Sequence, residues 1–354
     1  MLKILDVYIG RTILATTALT VTVLVALSGM FRFIDQLRSI DRGDYTVLTA
    51  ALFSLFSLPS DLVMFFPIAT LIGGLIGLGM LANNSELVVM QAAGMSRLQI
   101  IGSVMKTALL MMLLVMAVGE WVAPPSERFA RELRAKALSG GNLIAAQQGV
   151  WAKDGADFVN IRQVSDNGQL QDVTIYEFGD ELALQGITTA KTAEFVQGIW
   201  LLNHVNRLSF RDARVEQHQW PQQRWRSGLT PDKLGVVSVR PELLSVQGLN
   251  EYLDYLEQNQ QDSSRYQLAF WRKVLQPLTI IAMLLTALSF IFGPLRSVTM
   301  AARVLMGILT GFIFWVSNEV FGPVALVYQL PPMFGAVMPS ALFIVGSIYL
   351  LKKR

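Results

Sequence analysis

Six apolar runs, each about as long as a lipid bilayer is thick, constrain what this chain can fold into. They are Ile13–Ile34, Leu62–Leu81, Leu98–Val122, Leu268–Phe292, Val304–Val324 and Met333–Leu351. A helix needs about 20 apolar residues to cross the hydrocarbon. Backbone in lipid must satisfy its own hydrogen bonds, so such runs are helices. Six transmembrane helices are expected. The stretch Tyr45–Leu58 is apolar but shorter; it either extends the second span or lies at the interface. Only 16% of the 354 residues are charged, against about a quarter in soluble domains. Lys3 and Arg11 precede the first run. That run exceeds the roughly 7–15 residues of a secretory signal core and lacks a small-residue cleavage pattern, so a retained helix is expected.

The short loops give an orientation. With the N-terminus in the cytoplasm, that side receives Lys3, Arg11, Arg97, Arg296, Arg303, Lys352, Lys353 and Arg354. The opposite loops carry mixed charge (Asp35, Arg38, Asp41, Arg42, Asp44) or none, as around Pro331–Pro332. The excess of basic residues places both termini inside. Residues 124–265 then lie outside, which in a Gram-negative bacterium is the periplasm. The expected domains are 1–123, with three transmembrane helices; 124–265, the exported domain with flanking helices; and 266–354, with three more.

The exported segment opens with "PPSERFARELRAKALSGG", a helix that Gly140–Gly141 should end. Alternating stretches follow: "GVWAKDGADFVNI", "DVTIYEF", "TTAKTAEFV" and "IWLLNHVNRLSF". Turns at Lys153-Asp154-Gly155 and Asp166-Asn167-Gly168 separate them. Period-two patterning with such turns predicts antiparallel strands, hence a small sandwich or open barrel. "LNEYLDYLEQ" then sets Leu249, Leu253 and Leu256 on one helical face.

Much chemistry is missing. No Gly-Lys dipeptide exists, so there is no Walker A loop; "LSGGN" at Leu138–Asn142 reads as a helix stop. The two histidines, His204 and His218, have no partners at metal-ligand spacing. No cysteine and no Gly-x-Ser-x-Gly elbow is present. No catalytic and no metal residues are expected. A net charge of +3 is too small to argue for nucleic acid. The glycines of "GGLIGLG" (73–79) read as a close-packing helix face.

Between the second and third runs lies "NNSELVVMQAAGMSR", too short to span and too apolar for a loop. Asn83 or Ser85 can cap a helix there, and Gly94 can stop it. Glu86 would favour the positive helix end. It is either a cap alone or the charged part of a coupling helix that exposes Leu87, Met90 and Gln91 to an ATPase. Glu120 and Glu319 lie near the ends of the third and fifth runs. Intramembrane carboxylates invite a functional reading, but solvation at the interface explains both.

The blocks "SELVVMQAAGMS", "GEWVAP", "GVWAKDG", "LTPDKLGVV", "RYQLAFWRKVLQPL" and "LSFIFGPLRSV" fall in order along the chain and resemble the LptF/LptG family. These are transmembrane subunits of the bacterial lipopolysaccharide exporter. "WAKDG" and "LTPDKLGVV" look nearer the LptG branch. The resemblance implies a membrane α-helical fold with a β-jellyroll-like periplasmic domain, and an LptF sister permease as partner. It also implies an LptB ATPase dimer, which binds ATP and magnesium so that this chain needs no cofactor, and an LptC–LptA periplasmic bridge. The family's coupling helix falls on about 83–97 and its glutamate on Glu86.

Lipopolysaccharide requires an apolar cavity rimmed by cations. Arg32 and Arg38 match basic family positions at the cargo-facing end of the first helix, where a guanidinium can hold phosphate. Ser39 and Ser60 stand where the family carries further lysines. Arg131 and Arg134 sit one turn apart; they either guide the head group or pair with Glu127. Phe65, Phe66, Phe312 and Phe314 line the cavity or simply pack the bundle. Arg42 reads as a solvated charge near Asp41 or Asp44. Arg296 and Arg303 offer a second contact to the ATPase. An ion-coupled carrier or an envelope scaffold are the rival readings.

Overall fold

A computed structural model describes residues 4–40, 42–139, 150–164, 168–179, 183–211, 214–231, 241–292 and 298–352. The chain forms two compact units. One comprises residues 1–32, 57–127 and 264–354; the other comprises residues 33–56 and 128–263.

The helices are α1 (Ile4–Leu37), α2 (Val47–Asn83), α3 (Glu86–Ala92), α4 (Arg97–Ala117), α5 (Ala123–Ser139), α6 (Val246–Gln258), α7 (Ser264–Val274), α8 (Gln276–Phe292), α9 (Met300–Val327) and α10 (Pro332–Lys352). Among the described residues, five helical segments are long and apolar enough to span, and the bent pair α7–α8 supplies a sixth. The second span absorbs the short apolar stretch that precedes it, since α2 starts at Val47. The third runs unbroken from Arg97 to Leu138. It widens into a π-turn at Val118–Val122. Pro124 and Pro125 follow that turn; lacking N–H donors, they deprive its carbonyls of their usual partners. The fourth run was expected as one straight helix. Instead α7 and α8 meet at 53°, just before Pro277.

In the first unit α8 is enclosed on nearly all sides, burying nine residues from Ile280 to Ile291. A helix apolar all round belongs in such a centre. Two hydroxyl rungs join it to α10: Thr279 with Ser340 at 3.0 Å and Thr286 with Ser347 at 2.9 Å. They recur one heptad apart on each helix. The glycine face behaves as its sequence predicts. A Cβ on Gly73 would stand 2.5 Å from the Thr17 Cα, and one on Gly77 would stand 2.7 Å from the Thr16 hydroxyl. Without those atoms the backbones close up, and Thr16 donates to the Gly73 carbonyl at 2.7 Å. Gly74 faces Leu284 and Ala287 of α8 in the same way.

Among its described residues the second unit holds six antiparallel strands: β1 (Val150–Asp154), β2 (Asp157–Val164), β3 (Leu170–Phe178), β4 (Leu184–Val196), β5 (Ile199–Arg211) and β6 (Arg214–Trp225). They lie in chain order as one meander. Val159, Ile161, Leu170, Val173, Ala193 and Leu202 form its buried face. Trp200 is fully buried and donates to the Leu229 carbonyl at 2.7 Å. Gln197 and Gly198, both at positive φ, close the β4–β5 hairpin in two residues. Asp172 and His204 are also left-handed within strands. The registers align Arg162, Asp172, Lys191, His204 and Pro221 in one row where regular pairing lapses, a crease across the sheet.

The turn at Lys153-Asp154-Gly155 forms as expected, whereas Asp166, Asn167 and Gly140–Gly141 lie outside the described residues. "WAKDG" is clasped by α6. Tyr255 donates to the Lys153 carbonyl at 2.7 Å, and Gly155 N–H donates to the Asn259 side chain at 2.8 Å. Burial pushes the Tyr255 hydroxyl up to about 12. The apolar face of α6 consists of Leu249, Tyr252, Tyr255 and Leu256, with Leu253 only half-buried.

The glycine contact makes a graded prediction. Gly73→Val must separate α1 from α2 and lower the thermal midpoint of the detergent-solubilised protein. Gly102→Ala, on α4 with nothing within 4 Å of its new methyl, should leave it unchanged or raise it slightly, since Ala gains about 0.5–1 kcal/mol in a helix. Equal midpoints for both variants would refute the close approach.

Candidate coupling and cargo sites

Helix α3 is seven residues long. It cannot be stable alone, and three local devices hold it. At its C-terminus Gly94 adopts φ +94°. Gly94 N–H then reaches the Gln91 carbonyl and Met95 N–H the Met90 carbonyl, both at 3.0 Å. This double bond is the glycine-based helix stop that the sequence predicted. Ser96 then opens α4 with a reciprocal capping box to Gln99. The third device is burial: Leu87 and Met90 are 4% and 7% exposed and join the core with Leu81 and Ile100.

That burial corrects one expectation. Leu87 and Met90 were read as presented outward; they face inward because a helix this short needs its apolar side against the bundle. The outward face is Val88, Val89 and Ala92, with Gln91 half-exposed; Leu98, in the first turn of α4, is exposed as well. The cap expectation also fails. Ser85 is left-handed and makes no side-chain cap, while the Asn83 side chain accepts from Arg303 at 3.0 Å. Glu86 is oriented by others: Tyr8 donates to Oε2 at 2.8 Å and Asn84 to Oε1 at 3.1 Å.

Arg32 lies in the first unit against a buried carboxylate. It is ion-paired with Asp61, whose side chain is 4% exposed, and Ser28 donates to the same carboxylate at 2.9 Å. Arg32 keeps 30% exposure, so it borders the surface. Phe65 follows Asp61 by one helical turn on α2. Phe65 and Phe66 are half-buried, and Phe66 packs on the core. Phe312 is exposed and stacked on Trp315, while Phe314 is buried edge-on to Phe343. Phe314 therefore packs the bundle.

In the second unit Arg38 is 82% exposed and only loosely paired with Asp35 at 3.8 Å. Such a pair is worth roughly 0.5 kcal/mol, leaving the cation available. Arg134 is more constrained, donating to Gln36 at 2.9 Å and standing 5.8 Å above the Phe53 ring. Gln36 also accepts from Tyr45 at 3.1 Å. Arg131 is half-buried one turn earlier on α5.

The family profile described as lipopolysaccharide export system permease LptF/LptG matches residues 7–353. The chain belongs to the LptF/LptG family. Similar proteins include the lipopolysaccharide export system permease protein LptG of Escherichia coli strain K12, 48% identical over 99% of this chain and 98% of the relative. The Haemophilus influenzae LptG is 45% identical over 100% of this chain and 99% of its own.

For this LptF/LptG-family chain, other marked residues sort by burial. Arg303 is 1% exposed and bonds the Gly79 carbonyl at 2.9 Å, so it completes the end of α2 rather than facing a partner. Arg296 lies outside the described residues, and so does Asp41. Glu120 is half-buried within electrostatic reach of Lys273, and Glu319 is exposed. His218 stacks on Trp220, and no metal-binding cluster occurs among the described residues. Sequence reasoning missed Asp61 and Asp6. Asp6, 6% exposed, binds Lys106 at 2.6 Å and Ser103. An acid interrupting an apolar run, as in "LPSDLVMFF", was the available signal for Asp61.

Removing either partner of the Arg32–Asp61 pair strands a poorly solvated charge, a loss on the order of 2–4 kcal/mol. Asp61→Leu and Arg32→Met should each lower the thermal midpoint, and the double variant should recover much of the loss. Strictly additive losses would show that the two charges are uncoupled.

Proposed function

We propose that this chain is the permease subunit of an ATP-driven lipopolysaccharide exporter. It extracts lipopolysaccharide from the outer leaflet of the inner membrane and passes it to a periplasmic bridge. The carrying observation is the family match along essentially the whole chain, with relatives named as lipopolysaccharide export permeases. The chain works with an LptF-type sister, an LptB-type ATPase dimer, and LptC- and LptA-type bridge proteins. ATP and magnesium belong to the ATPase. Both termini and α3 face the cytoplasm, and the sheet lies in the periplasm; the basic short loops support this orientation.

In this reading the outward face of α3 docks into a groove of the ATPase. Val88 and Val89 supply apolar area, and Glu86 meets a basic residue there. Leu87 and Met90 brace the helix from behind, and Gln91 flanks the contact. Arg38 offers the accessible cation for a lipid phosphate; Arg32, Arg131 and Arg134 act from more fixed positions. Phe65, Phe66 and the exposed Phe312 offer apolar surface for acyl chains.

Two measurements test the reading. Glu86→Ala should weaken co-purification of the ATPase about tenfold, as expected for a partly exposed charge pair; wild-type assembly and export would reject the coupling role. Arg38→Glu should lower photocrosslinking of lipopolysaccharide to a probe at the end of α1 without altering the thermal midpoint. Undiminished crosslinking would remove Arg38 from the cargo path.

A further inference from the structure

We infer that Tyr8 is a positioning residue for Glu86, through which α1 joins the coupling helix to the Arg32 end of the same rod. This rests on the coupling role of α3 proposed above. The Tyr8 hydroxyl holds Oε2 of Glu86, and Asn84 holds Oε1. An ionised carboxylate offers about four acceptor positions. Two remain, enough for a guanidinium or ammonium from the ATPase, so docking need not break the Tyr8 contact. A carboxylate already fixed in place loses less side-chain freedom when the partner arrives.

The same contact gives α1 a mechanical part. Its first turns are pinned twice: Tyr8 to α3, and Asp6 to Lys106 and Ser103 of α4. From there α1 is one unbroken helix to Leu37. Tyr8 and Arg32 are separated by roughly 36 Å at ~1.5 Å per residue. Arg32 is tied at that far position to Asp61 of α2, and Gly73 and Gly77 seat the middle of α1 on the same helix. A displacement of α3 by the ATPase therefore pulls directly on the start of α1, without passing first through α2. The surroundings of Tyr8 favour a polar link over packing: the residue is 45% exposed, and the hydroxyl is the group that reaches α3.

The test is Tyr8→Phe in the full transporter, purified with its sister permease and ATPase and reconstituted with lipopolysaccharide in vesicles. The variant should weaken ATPase association about three- to tenfold. It should also lower the lipopolysaccharide released per ATP hydrolysed, a ratio that simple loss of stability would not move. In a Glu86→Ala background, Tyr8→Phe should add nothing further, because it acts through that carboxylate. If Glu86→Ala impairs association while Tyr8→Phe leaves association and release per ATP at wild-type values, the positioning role is wrong and the coupling role stands. A lowered thermal midpoint with an unchanged ratio would reduce Tyr8 to packing. If Glu86→Ala is itself silent, both ideas fall together.

Discussion

The approach of α1 to α2 at Gly73 and Gly77 determines where every polar group on α1 can reach. Lipid offers no hydrophobic reward for bringing two apolar helices together, so contact must come from fit and from hydrogen bonds. Here both come from absent side chains. The missing Cβ atoms let the backbones close, and the Thr16 hydroxyl then finds the Gly73 carbonyl. With the middle of the helix seated in this way, Arg32 meets Asp61, Tyr8 meets Glu86, and Asp6 meets Lys106. A helix held only by greasy side chains could rotate or slide, and none of these pairs would have a defined partner.

Three buried charges of the helical unit share one arrangement. Asp6, Asp61 and Arg303 are all under 10% exposed, and each is held by side chains or carbonyls of another helix. Arg303 adds a donor to the Gly79 carbonyl in the last turns of α2 and a second one to the Asn83 side chain at the helix end. A positive group there also suits the negative end of the helix dipole. Its value lies in closing α2 firmly before the turn into α3, so the segment ahead of Glu86 begins from a fixed point.

The spans were legible because hydropathy over twenty residues is a strong signal. The β1–β5 strands were legible because their alternation matched a half-buried sheet. β6 was not read, since "RVEQHQWPQQRW" is exposed along nearly its whole length and contains Pro221. An edge strand with little buried face leaves no apolar period to find. The break at Leu275–Gln276 was hidden because Pro277 sits within an apolar stretch that hydropathy reads as continuous. At the candidate site, sequence located Glu86 and the glycine stop but inverted the helix face. Leu87, Met90 and Gln91 share a face by periodicity, yet periodicity cannot say whether that face meets the bundle or a partner. Tyr8 was invisible for another reason: its meaning depends on a contact made 78 positions away along the chain.

The inward turn of Leu87 and Met90 bears on how α3 could transmit force. A helix that used its larger apolar residues for docking would hold its partner tightly but its own bundle weakly, and a push would be spent on local unfolding. Here the large side chains grip the bundle, while the smaller Val88, Val89 and Ala92 face outward. A docking partner of the kind proposed would then depend more on shape and on the single carboxylate than on buried area. In the proposed coupling role, that division permits a partner to bind and release on each cycle while α3 stays folded on α2 and α4. It also explains why a seven-residue segment needs a glycine stop, a capping box on its neighbour and a tyrosine from another helix: each removes a way for α3 to yield before the bundle does.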